Sequence, residues 1–257
     1  MLLAINANNT NFTFAVFEGA TLVTEWRIHS SAERTADEYA VWLGQLMTMK
    51  DWKFTDIRHA IIATVVPQAL FNLKRFCQSY CNVEPLVVGE ASVKTGVKLL
   101  VDNPREVGAD RLVNAVGGHL AFAGDLVIVD FGTATTFDVV DAEGNYRGGV
   151  IAPGINLSLQ ALHQGTAQLP RVAVARPERV IGTDTVACIQ SGVYWGYVSL
   201  IEGLVARIQK EWGKPLTVIA TGGLAPLFAG ASEVIRQVDA DLTLRGLLEI
   251  HRRNQAK

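Results

Sequence analysis

A chain of 257 residues with 49% hydrophobic and 19% charged residues can bury a sizeable core, as one large domain or as two of roughly 100–150 residues each, and is too apolar to be disordered. Its 23 basic and 25 acidic residues leave a formal charge of -2, which provides no general electrostatic drive toward nucleic acid or an anionic membrane. No apolar run approaches the roughly 20 residues that span a bilayer, and MLLAINANN lacks the basic start of a secretion signal, so the expected location is cytoplasmic.

From the N-terminus, Leu2–Ile5, Phe12–Phe17 and Leu22–Ile28 are short runs suited to strands, with Glu18-Gly19 as a turn, and predict an antiparallel meander. Thr35-Ala36-Asp37-Glu38 has the pattern of a capping box and leads into Tyr39, Val41, Trp42, Leu43 and Leu46 at helical spacing. A buried strand is expected over His59–Val65, a helix from Pro67 through Phe76, and a strand over Pro85–Val88 before the connection Gly89–Val101. Cys77, Cys81 and Cys188 are an odd set with no second ligand pair nearby, and are expected as reduced thiols.

The second half repeats this order. Strands are expected over Leu126–Asp130, Thr135–Val140 and Tyr146–Ile151, with Asp141–Asn145 as the hairpin turn; helices follow from about Ile155 and about Thr185, and Leu216–Ala220 is a strand broken at Thr221-Gly222-Gly223. No Pro/Ser linker separates the halves, so a helix is expected to join two tightly packed lobes, residues 1–118 and 119–257. Overlaying Ile5–Asn11 on Val129–Thr135 matches a strand end, a tight turn rich in Asn, Gly and Thr, and a return strand. Two such turns present backbone N–H groups and hydroxyls to a polyanion, the chemistry that a triphosphate with its metal requires.

Five stretches carry a more specific message: Arg34-Thr35-Ala36-Asp37-Glu38-Tyr39, Asp102-Asn103-Pro104-Arg105-Glu106-Val107-Gly108-Ala109-Asp110-Arg111, Asp130-Phe131-Gly132-Thr133-Ala134-Thr135-Thr136-Phe137-Asp138, Gly148–Gly154 and Gln190-Ser191-Gly192. In this order and spacing they resemble the type III pantothenate kinases, of the acetate kinase, sugar kinase and actin superfamily. The resemblance implies an α/β fold of two tandem ribonuclease H-like (actin-like ATPase) lobes with mixed sheets flanked by helices. It implies phosphorylation of pantothenate by ATP to 4'-phosphopantothenate, the first step of coenzyme A biosynthesis, with Mg²⁺ and a monovalent cation (K⁺ or NH₄⁺), in a homodimer; the charge and hydropathy above predict no nucleic-acid or membrane partner.

Carried over residue by residue, the resemblance makes Asp110 the catalytic base and Gly108, Ala109, Asp110, Arg111 and Thr185 substrate-binding. It makes Asn6, Ala7, Asn8, Asn9, Thr10, Asn11, Phe12, Thr13 and Thr133 ATP-binding, and Asp130 a metal ligand. The residues themselves are compatible with these roles. Asp110 opens an apolar-periodic helix, Asp130 closes a buried strand where ligands of α/β sheets bind, and Thr221-Gly222-Gly223 suits close approach of an adenine or ribose to bare backbone. A Thr early in a helix, as at Thr185, also suits a cap.

One segment departs from the pattern. The family's first turn reads Asp-x-Gly-Asn-Thr, whereas here it is Asn6-Ala7-Asn8-Asn9-Thr10, and the internal overlay places Asn6 on Asp130 and Asn8 on Gly132. Val101 also stands where relatives carry Tyr. The Asp-to-Asn change removes a charge from a metal site, since Mg²⁺ prefers anionic oxygen. An alternative function follows from it, a catalytically impaired paralogue that acts by binding or regulation.

Overall fold

The same five-stranded sheet is built twice. In the computed structural model, which describes residues 1–255, β1 (Leu2–Ala7), β2 (Asn11–Glu18) and β3 (Thr21–His29) form the expected meander. Helix α1 (Ala36–Thr48) follows, then β4 (His59–Thr64), α2 (Pro67–Tyr80), β5 (Leu86–Val87) and α3 (Ala109–Ala121). The second set is β6 (Leu126–Phe131), β7 (Ala134–Val140), β8 (Tyr146–Pro153), α4 (Ile155–Gln164), α5 (Thr185–Trp212), β9 (Thr217–Thr221), α6 (Ala225–Ala229) and β10 (Gln237–Val238), before a last helix, α7 (Leu242–Asn254).

Strand order is β3-β2-β1-β4-β5 in one sheet and β8-β7-β6-β9-β10 in the other, so the two mixed sheets share one topology. In each, the leading strand pairs antiparallel with its hairpin partner and parallel with the strand that returns after a helix. Both leading strands are buried on two faces, which explains why Leu3-Ala4-Ile5 and Val127-Ile128-Val129 are continuous apolar runs rather than alternating ones.

Local chemistry sets the helix starts. Thr35 and Glu38 form the reciprocal capping box at α1, and Pro67 occupies the first turn of α2, where its missing N–H costs nothing. In the first lobe α1 and α2 cover β1, β2 and β4 through Tyr39, Leu43, Leu73 and Phe76. In the second, α5 and α6 cover their sheet through Tyr194, Tyr197, Ile201 and Phe228. Cys77 and Cys81 are buried thiols and Cys188 an exposed one, all free.

The lobe boundary differs from the 118/119 division expected from sequence. Residues Leu99–Val101 belong to the second compact unit, because Leu100 N–H donates to the Tyr146 carbonyl at 2.9 Å, while the chain from Leu242 onward returns to the first. The return is fixed by close packing between α3 and α7. A side chain at Gly117 would strike the Leu242 carbonyl and one at Gly246 the Val113 carbonyl, so two glycines let the helix backbones approach. Thr243 also donates to the Asn114 side chain at 2.6 Å, and α7 buries Leu247 and Ile250.

Candidate functional site

The first turn lies at the end of β1. Strand register continues to Ala7, opposite Phe12, leaving Asn8, Asn9, Thr10 and Asn11 as the loop, closed by Asn8 N–H donating to the Asn11 carbonyl at 3.2 Å. Asn9, Thr10 and Asn11 are exposed, and Asn8 and Thr13 are half-buried. Asn6 is only 8% exposed, and neither its Oδ1 nor that of Asn8, both buried, accepts a hydrogen bond within the described protein. Ala7 and Phe12 are fully buried, Phe12 with its ring 6.3 Å from Tyr39, so any contact they make with a ligand falls to their backbone.

The adjoining strand end leads to Asp110. Val65 N–H donates to the Ala7 carbonyl at 3.1 Å, and Val65 also packs beside Gly108, which joins the turn to the Gly108–Arg111 segment in one lobe. Asp110 stands in the first turn of α3, and its Oδ1 accepts the Arg111 N–H at 2.7 Å. A Cβ on Gly108 would come within 2.6 Å of that oxygen, so the glycine is required by the carboxylate's position rather than by an unusual φ. Burial raises the Asp110 pKa above its ordinary value, opposed by the Arg111 N–H and the Arg111 charge. A carboxylate poised in this way is a better proton acceptor than a solvated one.

In the second lobe Asp130 is the penultimate residue of β6, flanked by Thr136 on one side and Thr221 on the other. Gly222 has φ +90°, and a Cβ there would lie 2.7 Å from Asp130 Oδ1 and 2.7 Å from the Phe131 carbonyl. The Thr221-Gly222-Gly223 signal therefore has a structural origin at Gly222, where bare backbone makes room for the Asp130 carboxylate. Gly223 has open space around it, as a ligand-facing glycine would.

Thr133 sits in the loop Gly132–Ala134, which is braced from two directions. Gly154 N–H donates to the Thr133 carbonyl at 3.1 Å, and a side chain at Gly154 would collide with that oxygen. The Tyr197 hydroxyl donates to the Pro153 carbonyl at 2.6 Å, which leaves its oxygen to accept from Thr135 Oγ1, also at 2.6 Å. Behind the turn, the fully buried Asp138 accepts from the Tyr146 hydroxyl and from Thr136, each at 3.0 Å. Tyr197 and Gly154 carry no sequence signal for this role, since both act on residues distant in the chain.

Thr185 lines an open surface depression with Leu169, Gly182, Thr183, Asp184, Cys188 and Ile189. It is the first residue of α5 rather than its cap; Asp184 caps the helix by accepting from Ala187 N–H at 2.9 Å, which frees the Thr185 hydroxyl from that task. The structure thus gathers Asn6–Thr13 with Gly108–Arg111 in one lobe, and Asp130 with Thr133 in the other.

The register also corrects the internal overlay. Asn6 pairs with Thr13 and Asp130 with Thr136, so the first loop has four residues and the second three. Asn6 remains the counterpart of Asp130, but beyond the loops Thr13 aligns with Thr136, one position off an ungapped match.

As to metals, the Asp130 carboxylate is a donor that fits a cation. Asn6 offers only a neutral amide oxygen, a poor direct ligand for Mg²⁺. Among the described residues no group of three His, Cys, Asp or Glu side chains gathers as a metal site.

Known proteins supply the remaining finding. A family model described as type III pantothenate kinase matches residues 2–207. The type III pantothenate kinase of Paramagnetospirillum magneticum is 62% identical over 99% of this chain and 98% of its own, and that of Rhodospirillum rubrum 60% identical over 99% of each. Solved structures agree on the fold. A Sinorhizobium meliloti protein assigned as a 2-dehydro-3-deoxygalactonokinase aligns with TM-score 0.63 at 14% identity over 100% and 98% of the two chains. Component A of the Acidaminococcus fermentans (R)-2-hydroxyglutaryl-CoA dehydratase aligns with TM-score 0.56 at 13% identity over 96% and 94%. With a family match across most of its length and relatives of such identity, the chain belongs to the type III pantothenate kinase family.

Proposed function

We propose that this protein transfers the γ-phosphoryl group of ATP to the primary hydroxyl of pantothenate, giving 4'-phosphopantothenate. The observation that carries the reading is Asp110. Its Oδ1 is held by the Arg111 N–H, so Oδ2 is the oxygen that receives the hydroxyl proton as the alcohol attacks, and the raised pKa favours that transfer. Arg111 supplies positive charge beside it, suited to an acidic substrate, while Gly108 keeps the space over the carboxylate clear.

The first loop, exposed over Asn9, Thr10 and Asn11, offers backbone N–H groups and the Thr10 hydroxyl to phosphate oxygens, and Thr133 offers the same from a loop held rigid by Gly154 and Tyr197. The carboxylate of Asp130 would hold a cation, and Mg²⁺, when bound, neutralises charge that develops on the phosphoryl oxygens. Thr185 is exposed on an open depression, which leaves its hydroxyl accessible for a substrate-contacting role.

The same reading includes dependence on K⁺ or NH₄⁺, a cytoplasmic location and a homodimer. The test is ADP formation that depends on both ATP and pantothenate, with Mg²⁺ and K⁺ present. Turnover no higher than that of an Asp110→Asn control would remove the kinase reading.

A further inference from the structure

Gln190-Ser191-Gly192 is a motif of α5 that the kinase reading leaves without a task. A Ser inside a helix ordinarily turns to solvent or bonds its own helix four residues back. Ser191 instead is buried, and its hydroxyl donates to the Val180 carbonyl at 2.5 Å, eleven residues earlier in the chain. Beside it, Gln190 Nε2 donates to the Ala173 carbonyl at 3.3 Å. Between Gln164 and Thr185 the chain forms no helix or strand, so ladder hydrogen bonds do not place it.

Side chains of α5 place it instead. Val174 packs on the core of the second lobe and Arg176 lies over the Trp195 ring at 5.8 Å. Val180 and Ile181 are exposed, so apolar burial does not anchor the end that approaches the start of α5. There Ser191 holds Val180, and the Cys188 thiol donates to the Gly182 carbonyl at 3.4 Å. Gly182 lies so close to α5 that a Cβ on it would come within 2.5 Å of the Cys188 nitrogen. The residues so held, Gly182, Thr183 and Asp184, are one wall of the depression that Thr185 lines.

We infer that Ser191, assisted by Gln190, is a positioning residue for the acid substrate: it clamps the strap of residues 173–184 onto α5, and the strap sets the wall beside the Thr185 hydroxyl. The inference rests on the assignment of Thr185 to the pantothenate side of the proposed reaction. The Thr133 loop has braces of its own, Gly154 and Tyr197, so loss of the clamp should leave ATP binding in place.

Thiol labelling and the Michaelis constants test it together. Cys188 is exposed whereas Cys77 and Cys81 are buried, so a thiol reagent applied to the folded protein reads Cys188, which both bonds the strap and lines the depression. Pantothenate should slow this labelling several-fold in wild type. Ser191→Ala, and Gly182→Ala from the strap side, should each speed it several-fold. Both should raise the KM for pantothenate about tenfold, the order of one lost positioning hydrogen bond, with the KM for ATP within about twofold of wild type. Labelling of a single thiol per chain shows that a variant has kept its core.

Because both substitutions release one strap, the double variant should be no worse than the poorer single one, whereas independent defects would multiply. Wild-type labelling rates in the variants, equal rises in the two KM values, or multiplying effects would overturn the inference. Labelling of wild type that is indifferent to pantothenate would overturn it as well. Wild type that pantothenate protects but that forms no ADP removes the phosphoryl transfer alone, and the concentration for half-protection then takes the place of KM in the same comparison.

Discussion

The two lobes present one strand-turn-strand device with opposite chemistry. In the second, a carboxylate stands one residue from the end of the leading strand, a glycine at φ +90° just past the parallel neighbouring strand leaves it room, and the loop is braced by Gly154 and Tyr197. In the first, a buried amide closes the strand, Thr64 stands where Gly222 stands in the other sheet, and its hydroxyl braces the Ala7 carbonyl. Repeated topology preserves backbone placement, while charge at the same point of the sheet is free to change. The first lobe has in turn what the second lacks, a half-buried Asp110 at a helix start with a raised pKa.

The largest test of this division is Asp110→Asn, which should lower kcat about 10²- to 10⁴-fold, the usual worth of a positioned general base, with ATP binding retained by calorimetry. In wild type the rate should fall as pH drops through the raised pKa of Asp110 and the carboxylate takes up a proton. Asp130→Asn makes the second turn as neutral as the first, and steady-state assays should show a loss of about 10²-fold, comparable to removal of one electrostatic contact to the transition state. A small effect there would mean the two turns are more alike than their charges.

Stability tests sharpen the comparison at the strand ends. Gly222→Ala forces a Cβ against Asp130 and a positive φ on an L-residue, and should destabilise by about 1–3 kcal/mol in urea unfolding. Thr64→Ala, its counterpart, loses two hydrogen bonds at a half-buried site and should cost only about 1 kcal/mol.

The smallest effect concerns α7. Burial, and then the neighbouring His59 with its ring centroid 5.0 Å away, lower the His251 pKa from its ordinary 6.5, so the unfolded chain takes the proton first. Stability from this group is complete above about pH 6.5 and declines as pH falls through the folded pKa. His251→Asn should flatten the fall in melting temperature over that window, measured against wild type.

Much of the site is legible in the amino-acid sequence, because its signals are local. The alternation of Phe12–Phe17, the capping box at Thr35 and Glu38, and the apolar runs ending at Asn6 and Asp130 report hydrogen bonding and burial within a few residues, and each element formed where these placed it. The sequence could not show that Phe12 is committed to the core, that Asp184 rather than Thr185 caps α5, or that the second loop is one residue shorter. Each is decided by a partner or a register that propensity does not contain.

By itself, then, the sequence determined the repeat, its family and the loss of charge at Asn6, all of which are properties of residue order. Tertiary structure alone decided that α7 returns to the first lobe over Gly117 and Gly246, that Gly222 and Gly154 let a carboxylate and a loop carbonyl approach, and that the Asn6 and Asn8 amide oxygens are each buried without a donor. These are contacts between residues far apart in the chain, and a glycine's missing Cβ or an amide's missing partner has meaning only once its neighbours are in place.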